Sequence, residues 1–154
     1  MKKFELTSEF VTNIFGTKLF RIKALMEFGD VEVGELGGYI EKEENLDHDG
    51  DAWVCGDAWV YGDAWVCGDA WVCGDARVCG DADYAYAHGF GSVNRTTTFF
   101  RLKDGGVGVR CGCFYGTLGE FREKVRETHG DGKLAQEYLM LADLMETRFR
   151  REER

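Results

Sequence analysis

Three histidines and a closely spaced pair of cysteines are the side chains best suited to acid–base or metal chemistry. His48, His88 and His129 stand far apart in the chain, whereas Cys111 and Cys113 are separated by one glycine. His88 is the candidate general base, because a neutral imidazole can accept a proton near physiological pH. Alternate residues of a strand share a face, so both thiols could join His129 around zinc. Zinc usually takes four ligands, and the simpler interpretation is a locally bonded histidine and two packed cysteines. We therefore expect no catalytic residue, no metal and no cofactor.

A second set of distinctive residues lies in a six-residue repeat. Residues 50–82 read GDAWVCGDAWVYGDAWVCGDAWVCGDARVCGDA, in which aspartate recurs at every sixth position. Stacked carboxylates could bind calcium or imitate a nucleic-acid backbone, although Gly-Asp is also ordinary turn chemistry. Indole side chains at outward positions are typical of a surface that meets a partner. The predicted binding residues are Trp53, Trp59, Trp65, Trp71, Asp51, Asp57, Asp69 and Asp75.

The charge of the chain is unevenly distributed and restricts the class of partner. Residues 1–49 carry 6 basic and 11 acidic side chains, and residues 50–94 carry 1 and 7. Residues 95–154 carry 12 basic and 10 acidic side chains, within a total net charge of -9. Phosphates would meet a field of their own sign at the repeat, so it should not bind nucleic acid directly. A basic partner suits this surface better.

The cysteines and the N-terminus bear on the compartment. Four of the six cysteines fill one position of the repeat, where Tyr61 stands once. That exchange indicates a position chosen for packing, so we expect all six cysteines to be free thiols. The sequence has neither a recognisable signal peptide nor a long apolar run, which predicts a cytoplasmic protein without a membrane contact.

The repeat itself predicts how these residues are positioned. In an extended unit, Ala and Val point to one side and Trp and Cys to the other, with Gly-Asp at the bend. So short a period leaves no room for hairpins and favours a chain that coils into a parallel solenoid. The inward positions are Val54, Val60, Val66, Val72 and Val78, with Ala52, Ala58, Ala64, Ala70, Ala76 and Ala82.

This pattern resembles the hexapeptide repeat of left-handed β-helix proteins, many of which are trimeric acyltransferases. The resemblance implies three units per coil, which would stack Trp53 beneath Trp71, Cys55 beneath Cys73 and Trp59 beneath Arg77. It also implies an alternative function, an acyltransferase-like enzyme in which His88 would be the base at a subunit interface. The fold predicted from the repeat is mainly β, a short left-handed parallel β-helix with a C-terminal β-hairpin and two α-helices.

The flanking segments divide the chain into three regions: an N-terminal capping strand region at 1–30, the repeat at 31–94 and a C-terminal appendage at 95–154. Alternation in TKLFRIKALMEF predicts a half-buried strand. The segment TTTFFRLKDGGVGVRCGCFY predicts a hairpin around Asp104-Gly105-Gly106. The capping box TLGE predicts a helix that begins at Thr117, and a second helix should run from Lys133 to Arg151.

The C-terminal segment also bears on function. TTTFFRLKDG, VRCGCFYGT and VRETHGD resemble tails of uncharacterised phage and prophage proteins. Together with the acidic, Trp-rich repeat, this resemblance implies a non-enzymatic protein-binding module, such as a phage-encoded, anti-CRISPR-like inhibitor of a bacterial defence complex. Its partner would be a basic, nucleic-acid-binding host complex whose groove it occupies. A structural, self-assembling homo-oligomer is the further alternative.

Overall fold

The computed structural model describes residues 2–92 and 95–150. The predicted boundary at Asn94 and the predicted helix end at Arg151 both lie outside these residues. Eleven strands and two helices follow one another in the described chain, with a short 3-10 turn before the repeat and another after it.

The N-terminal region is a hairpin followed by one strand. Strands β1 (Phe4–Thr12) and β2 (Lys18–Ala24) pair antiparallel, and β3 (Leu36–Ile40) pairs antiparallel with β2. The side chain of Asn13 closes the hairpin turn by accepting hydrogen bonds from the backbone N–H groups of Phe15 and Thr17. The strand predicted from alternation is therefore confirmed, but it ends at Ala24.

The repeat forms four very short strands: β4 (Trp53–Val54), β5 (Trp59–Val60), β6 (Trp71–Val72) and β7 (Arg77–Val78). β4 pairs in parallel with β6, and β5 pairs in parallel with both β3 and β7. The alanines and valines predicted to point inward are buried from Ala52 to Val78, whereas Ala82 is exposed where the repeat ends.

The prediction of a left-handed parallel β-helix is wrong, although the mainly β class is correct. Among the described strands, five pairings are antiparallel and three are parallel, and each parallel ladder holds two residue pairs. A six-residue unit interrupted by a turn leaves room for only a very short strand. The longer strands before and after the repeat reverse through turns and pair antiparallel, so the sheets are mixed.

A four-stranded antiparallel sheet follows the repeat. It consists of β8 (Tyr84–Phe90), β9 (Arg95–Arg101), β10 (Val107–Cys111) and β11 (Phe114–Thr117), in the order β11-β10-β9-β8. The predicted hairpin corresponds to β9 and β10. Sequence reasoning missed β8 and β11, because both are short of β-branched residues and are interrupted by glycine.

Two helices cover one face of this sheet. Helix α1 (Leu118–His129) begins at the predicted capping box, in which Thr117 accepts a hydrogen bond from the N–H of Glu120. Helix α2 spans Lys133–Phe149. No helix in the described part of the chain is long and apolar enough to cross a membrane.

Strand β9 separates two apolar cores. Phe100 belongs to the same core as Phe4 and the buried alanines and valines of the repeat, whereas its neighbour Phe99 contacts Phe121 and belongs to the core beneath the helices. Alternate residues of a strand point to opposite faces, so this one strand joins the repeat to the helical layer.

Candidate functional site

The four tryptophans share one position of the repeat but have different surroundings. Trp53 is 0% exposed, because Phe28 packs edge-on against its ring at a centroid distance of 5.1 Å. The indole also lies against Gly37, where a Cβ atom would come within 2.8 Å of the ring. Trp53 is therefore a core residue and presents no surface to a partner.

Trp59 and Trp71 are half-buried beneath arginines. Arg77 lies over Trp59 at 4.1 Å from the ring centroid, as the stacking of repeat units predicted, and Arg110 lies over Trp71 at 4.3 Å. The indole N–H of Trp71 also donates to the carbonyl oxygen of Asp51 at 3.0 Å. Both rings thus already have a cationic partner within the chain.

Trp65 is the exposed tryptophan, with 50% of its surface accessible. Its backbone N–H donates to Oδ1 of Asp81 at 3.0 Å, which fixes the backbone beneath the ring. The indole borders a shallow depression of about 460 Å³ near the N-terminal end of the repeat. The other lining residues are Lys2, Glu43, Glu44, Leu46, Asp47 and His48. We call this the Trp65 patch.

The Trp65 patch has an excess of negative charge. Glu43 is paired with both basic side chains, at 3.1 Å from Lys2 and 3.2 Å from His48. The hydrogen bond from Lys2 lowers the pKa of Glu43, which keeps that carboxylate ionised. Within residues 2–92 and 95–150, neither Glu44 nor Asp47 has an ion-pair partner. These two carboxylates are available to a cation beside an exposed indole.

The predicted aspartates are all exposed but do not form one site. Asp57 lies 3.7 Å from Arg21, and Asp75 lies 4.0 Å from Lys103. Asp51 and Asp69 instead line a groove of about 240 Å³ that also contains Trp71, Arg95 and Arg110. The groove therefore holds three of the eight predicted binding residues. Asp30 lines it as well, so three carboxylates face two arginines.

The candidate catalytic residue and the candidate metal ligands lie in different parts of the molecule. His88 is exposed on β8, and its Nδ1 lies 2.7 Å from the hydroxyl of Thr96, which matches the local hydrogen bond considered from the sequence. Cys111, Cys113 and His129 do line one cavity, of about 190 Å³, beside α1. These three side chains are nevertheless not arranged to hold a metal ion together, and no other group of three metal-ligating side chains is so arranged in the described residues.

A disulfide between Cys55 and Cys73 is the feature that sequence reasoning missed, and it corrects the expectation of six free thiols. The remaining cysteines, Cys67, Cys79, Cys111 and Cys113, are free. The signal was the spacing, since the resemblance had placed Cys55 directly beneath Cys73. Stacked strands bring paired side chains within disulfide reach, and here the two Cα atoms are 4.6 Å apart.

Comparison with known proteins leaves the geometry as the basis for assigning a function. No protein-family model matches this chain, and no curated protein matches it. The strongest arrangement for recognition is the Trp65 patch, which places an accessible aromatic face next to unpaired carboxylates. That combination suits a lysine or arginine side chain, because both the ring face and the carboxylates attract a cation.

Proposed function

We propose that this protein is a non-enzymatic binding module that recognises a basic segment of a protein partner through the Trp65 patch. The observation that carries the proposal is the half-exposed indole of Trp65 beside Glu44 and Asp47. A partner lysine or arginine would lie over the ring and donate hydrogen bonds to these carboxylates. The other tryptophans contribute less, because they are buried or already covered by arginine.

The charge of the whole chain supports a basic partner. The net charge is -9, because residues 1–94 carry a net charge of -11 and residues 95–154 carry +2. Such a field attracts a positively charged protein and speeds its association, especially at low ionic strength. The resemblance of the tail to phage proteins supports a bacterial cytoplasmic partner that itself binds nucleic acid. Under this proposal, the protein inhibits a defence complex by occupying the basic groove of that complex.

Binding of a labelled lysine- and arginine-rich peptide, followed by fluorescence anisotropy, tests the Trp65 patch. Trp65→Ala should weaken binding about ten-fold, equivalent to ~1.4 kcal/mol, because the cation–π contact and its apolar area are lost. Glu44→Gln with Asp47→Asn should weaken binding by a similar factor and reduce its salt dependence.

Matched controls change the same chemistry outside the patch. Met140→Ala removes an exposed apolar side chain of α2, and Glu123→Gln with Asp131→Asn removes two exposed carboxylates. The affinity of these variants for the peptide should stay within about two-fold of that of the unmodified protein, whereas the patch variants should lose about ten-fold. Equal losses in control and patch variants would show that binding depends on net charge alone and would contradict the proposed site.

The identity of the partner class is tested in a bacterial lysate. The unmodified protein should retain a basic, nucleic-acid-binding protein that the Trp65→Ala variant fails to retain, as identified by mass spectrometry. Nucleic acid added in excess should compete with this capture, because both ligands would use the same groove of the partner. Capture that resists competition and is unchanged in the variant would contradict inhibition by groove occupation.

A further inference from the structure

The disulfide between Cys55 and Cys73 joins two repeat units and has two unequal sulfur atoms. The cysteines immediately follow β4 and β6, which pair in parallel through Trp53 with Trp71 and Val54 with Val72. Cys73 is 5% exposed, whereas Cys55 is half-buried. A thiol from solution therefore has better access to Cys55 than to Cys73.

The guanidinium of Arg110 lies against this disulfide. Its Nη1 is 3.3 Å from Sγ of Cys73 and 3.8 Å from Sγ of Cys55. The ring of Trp71 holds the guanidinium from one side, with 4.3 Å between Cζ and the ring centroid. The carbonyl oxygen of Gly112 accepts a hydrogen bond from Nε at 3.1 Å. Arg110 comes from β10, so the sheet that follows the repeat fixes a permanent positive charge beside the sulfurs.

We propose that Cys55 and Cys73 form a redox-active site that exchanges with small thiols, and that Arg110 activates it. A thiolate attacks Sγ of Cys55, a mixed disulfide forms there, and the bond between the two protein sulfurs breaks. The electron pair of that bond leaves on Sγ of Cys73, where Arg110 stabilises the resulting thiolate. A second small thiol then displaces Cys55 from the mixed disulfide. The balance is one protein disulfide and two thiols converted to two protein thiols and one small disulfide.

Arg110 can activate the disulfide because thiol–disulfide exchange is faster when the leaving thiol has a lower pKa. A neighbouring arginine lowers a thiol pKa by favouring the charged form. Stabilising the thiolate favours the reduced state as well, which makes the disulfide easier to reduce. Where small thiols are in excess, the same residues are therefore held as a dithiol. Where a small disulfide is in excess, the reverse exchange closes them into the cross-link and releases two small thiols.

The decisive experiment places the protein in glutathione buffers of graded ratio and measures the reduced fraction by alkylation and peptide mass spectrometry. Arg110→Gln should require a more reducing buffer at the midpoint and should react with glutathione about three-fold more slowly or worse. Arg110→Lys keeps a positive charge, so its midpoint and its rate should lie between those of the unmodified protein and those of Arg110→Gln.

Arg77→Gln is the matched control. Arg77 stacks on Trp59 much as Arg110 stacks on Trp71, but its hydrogen bonds go to the carbonyl oxygens of Asp57 and Ala76. This variant should leave the midpoint and the rate unchanged. The same midpoint and rate for the unmodified protein, Arg110→Gln and Arg77→Gln would overturn the proposal.

A second measurement separates activation from folding. In Cys55→Ser the thiol of Cys73 stands alone beside Arg110, and the pH dependence of its alkylation reports its pKa. The pKa of the Cys73 thiol should be about one unit higher with Arg110→Met than with Arg110→Lys. Methionine is an unbranched side chain similar in length to lysine, but it carries no charge. Circular dichroism confirms that each variant is folded, and an unchanged pKa in folded variants would contradict the role of Arg110.

Discussion

Trp53 and Trp65 show how two copies of one residue in one repeat can serve different purposes. Both follow a Gly-Asp-Ala sequence and precede valine. The segment between β2 and β3 places Phe28 over Trp53, whereas no aromatic side chain among residues 2–92 and 95–150 stacks on Trp65, which remains half-exposed. The same side chain therefore stabilises the core at one position and is available for recognition at the other.

This difference predicts opposite effects of truncation. Trp53→Ala should lower the free energy of unfolding by about 3–5 kcal/mol, because it leaves a cavity against Phe28. Trp65→Ala should change it by about 0.5 kcal/mol or less, because an exposed side chain leaves no cavity. Urea unfolding followed by circular dichroism measures both. Similar losses in the two variants would contradict this assignment of core and surface.

At the scale of elements, Asp83 joins the end of the repeat to the sheet and to α2. Its carboxylate accepts hydrogen bonds from the backbone N–H of Cys79 at 3.0 Å and from Nε of Arg101 at 3.0 Å. Arg101 in turn donates to the carbonyl oxygen of Phe149 at the end of α2. One carboxylate thus orients three parts of the chain.

Protonation of Asp83 should therefore weaken the fold. Burial disfavours its charged form, but the hydrogen bonds from Cys79 and Arg101 outweigh that effect and lower its pKa. Because the pKa of Asp83 is lower in the folded protein than in the unfolded chain, its carboxylate stabilises the fold at any pH above the unfolded pKa, which is near 4. This stabilisation is lost as the pH falls through the folded pKa. Asp83→Asn should reduce stability at pH 7 and flatten its decline below about pH 4. Urea titrations at several pH values measure this, with the exposed Asp69→Asn as the control that should keep the decline.

At the scale of the whole molecule, two apolar cores lie on opposite faces of the strand from Arg95 to Arg101. Helix α2 supplies nearly half of the buried residues in the second core, including Tyr138, Ala142 and Met145. The first core is built from the N-terminal hairpin and the repeat, and does not contain α2. The helical layer is thus required to cover one face of the sheet.

A chain that ends at Gly132 should therefore be poorly soluble. Loss of α2 exposes Phe99, Val109 and Phe121, which form a contiguous apolar surface. Light scattering and binding of an apolar dye should both increase relative to a control chain that ends at Arg150. A truncated chain that stays monomeric and unfolds cooperatively would show that the first core and the sheet are sufficient.

The amino-acid sequence by itself determined the features that depend on local periodicity. The alternation of alanine and valine predicted the buried positions of the repeat, and Thr117 with Glu120 predicted the start of α1. The stacking of Trp59 with Arg77 also followed from the period of the repeat and the resemblance it supports. These features were predictable because they depend on residues within one turn or on a regular spacing.

Only the tertiary structure decided which tryptophan is accessible, how the sheets are arranged and which cysteines pair. Trp53 is buried by Phe28, and Arg110 reaches the sulfurs of Cys55 and Cys73 from β10. The short strands of the repeat keep the parallel pairing that the repeat favours, whereas the longer strands before and after it pair antiparallel, which the repeat does not predict. The physical reason is that each of these outcomes depends on segments distant in sequence. Burial, charge and cross-linking follow from what those segments place beside a residue, which the period of six does not encode.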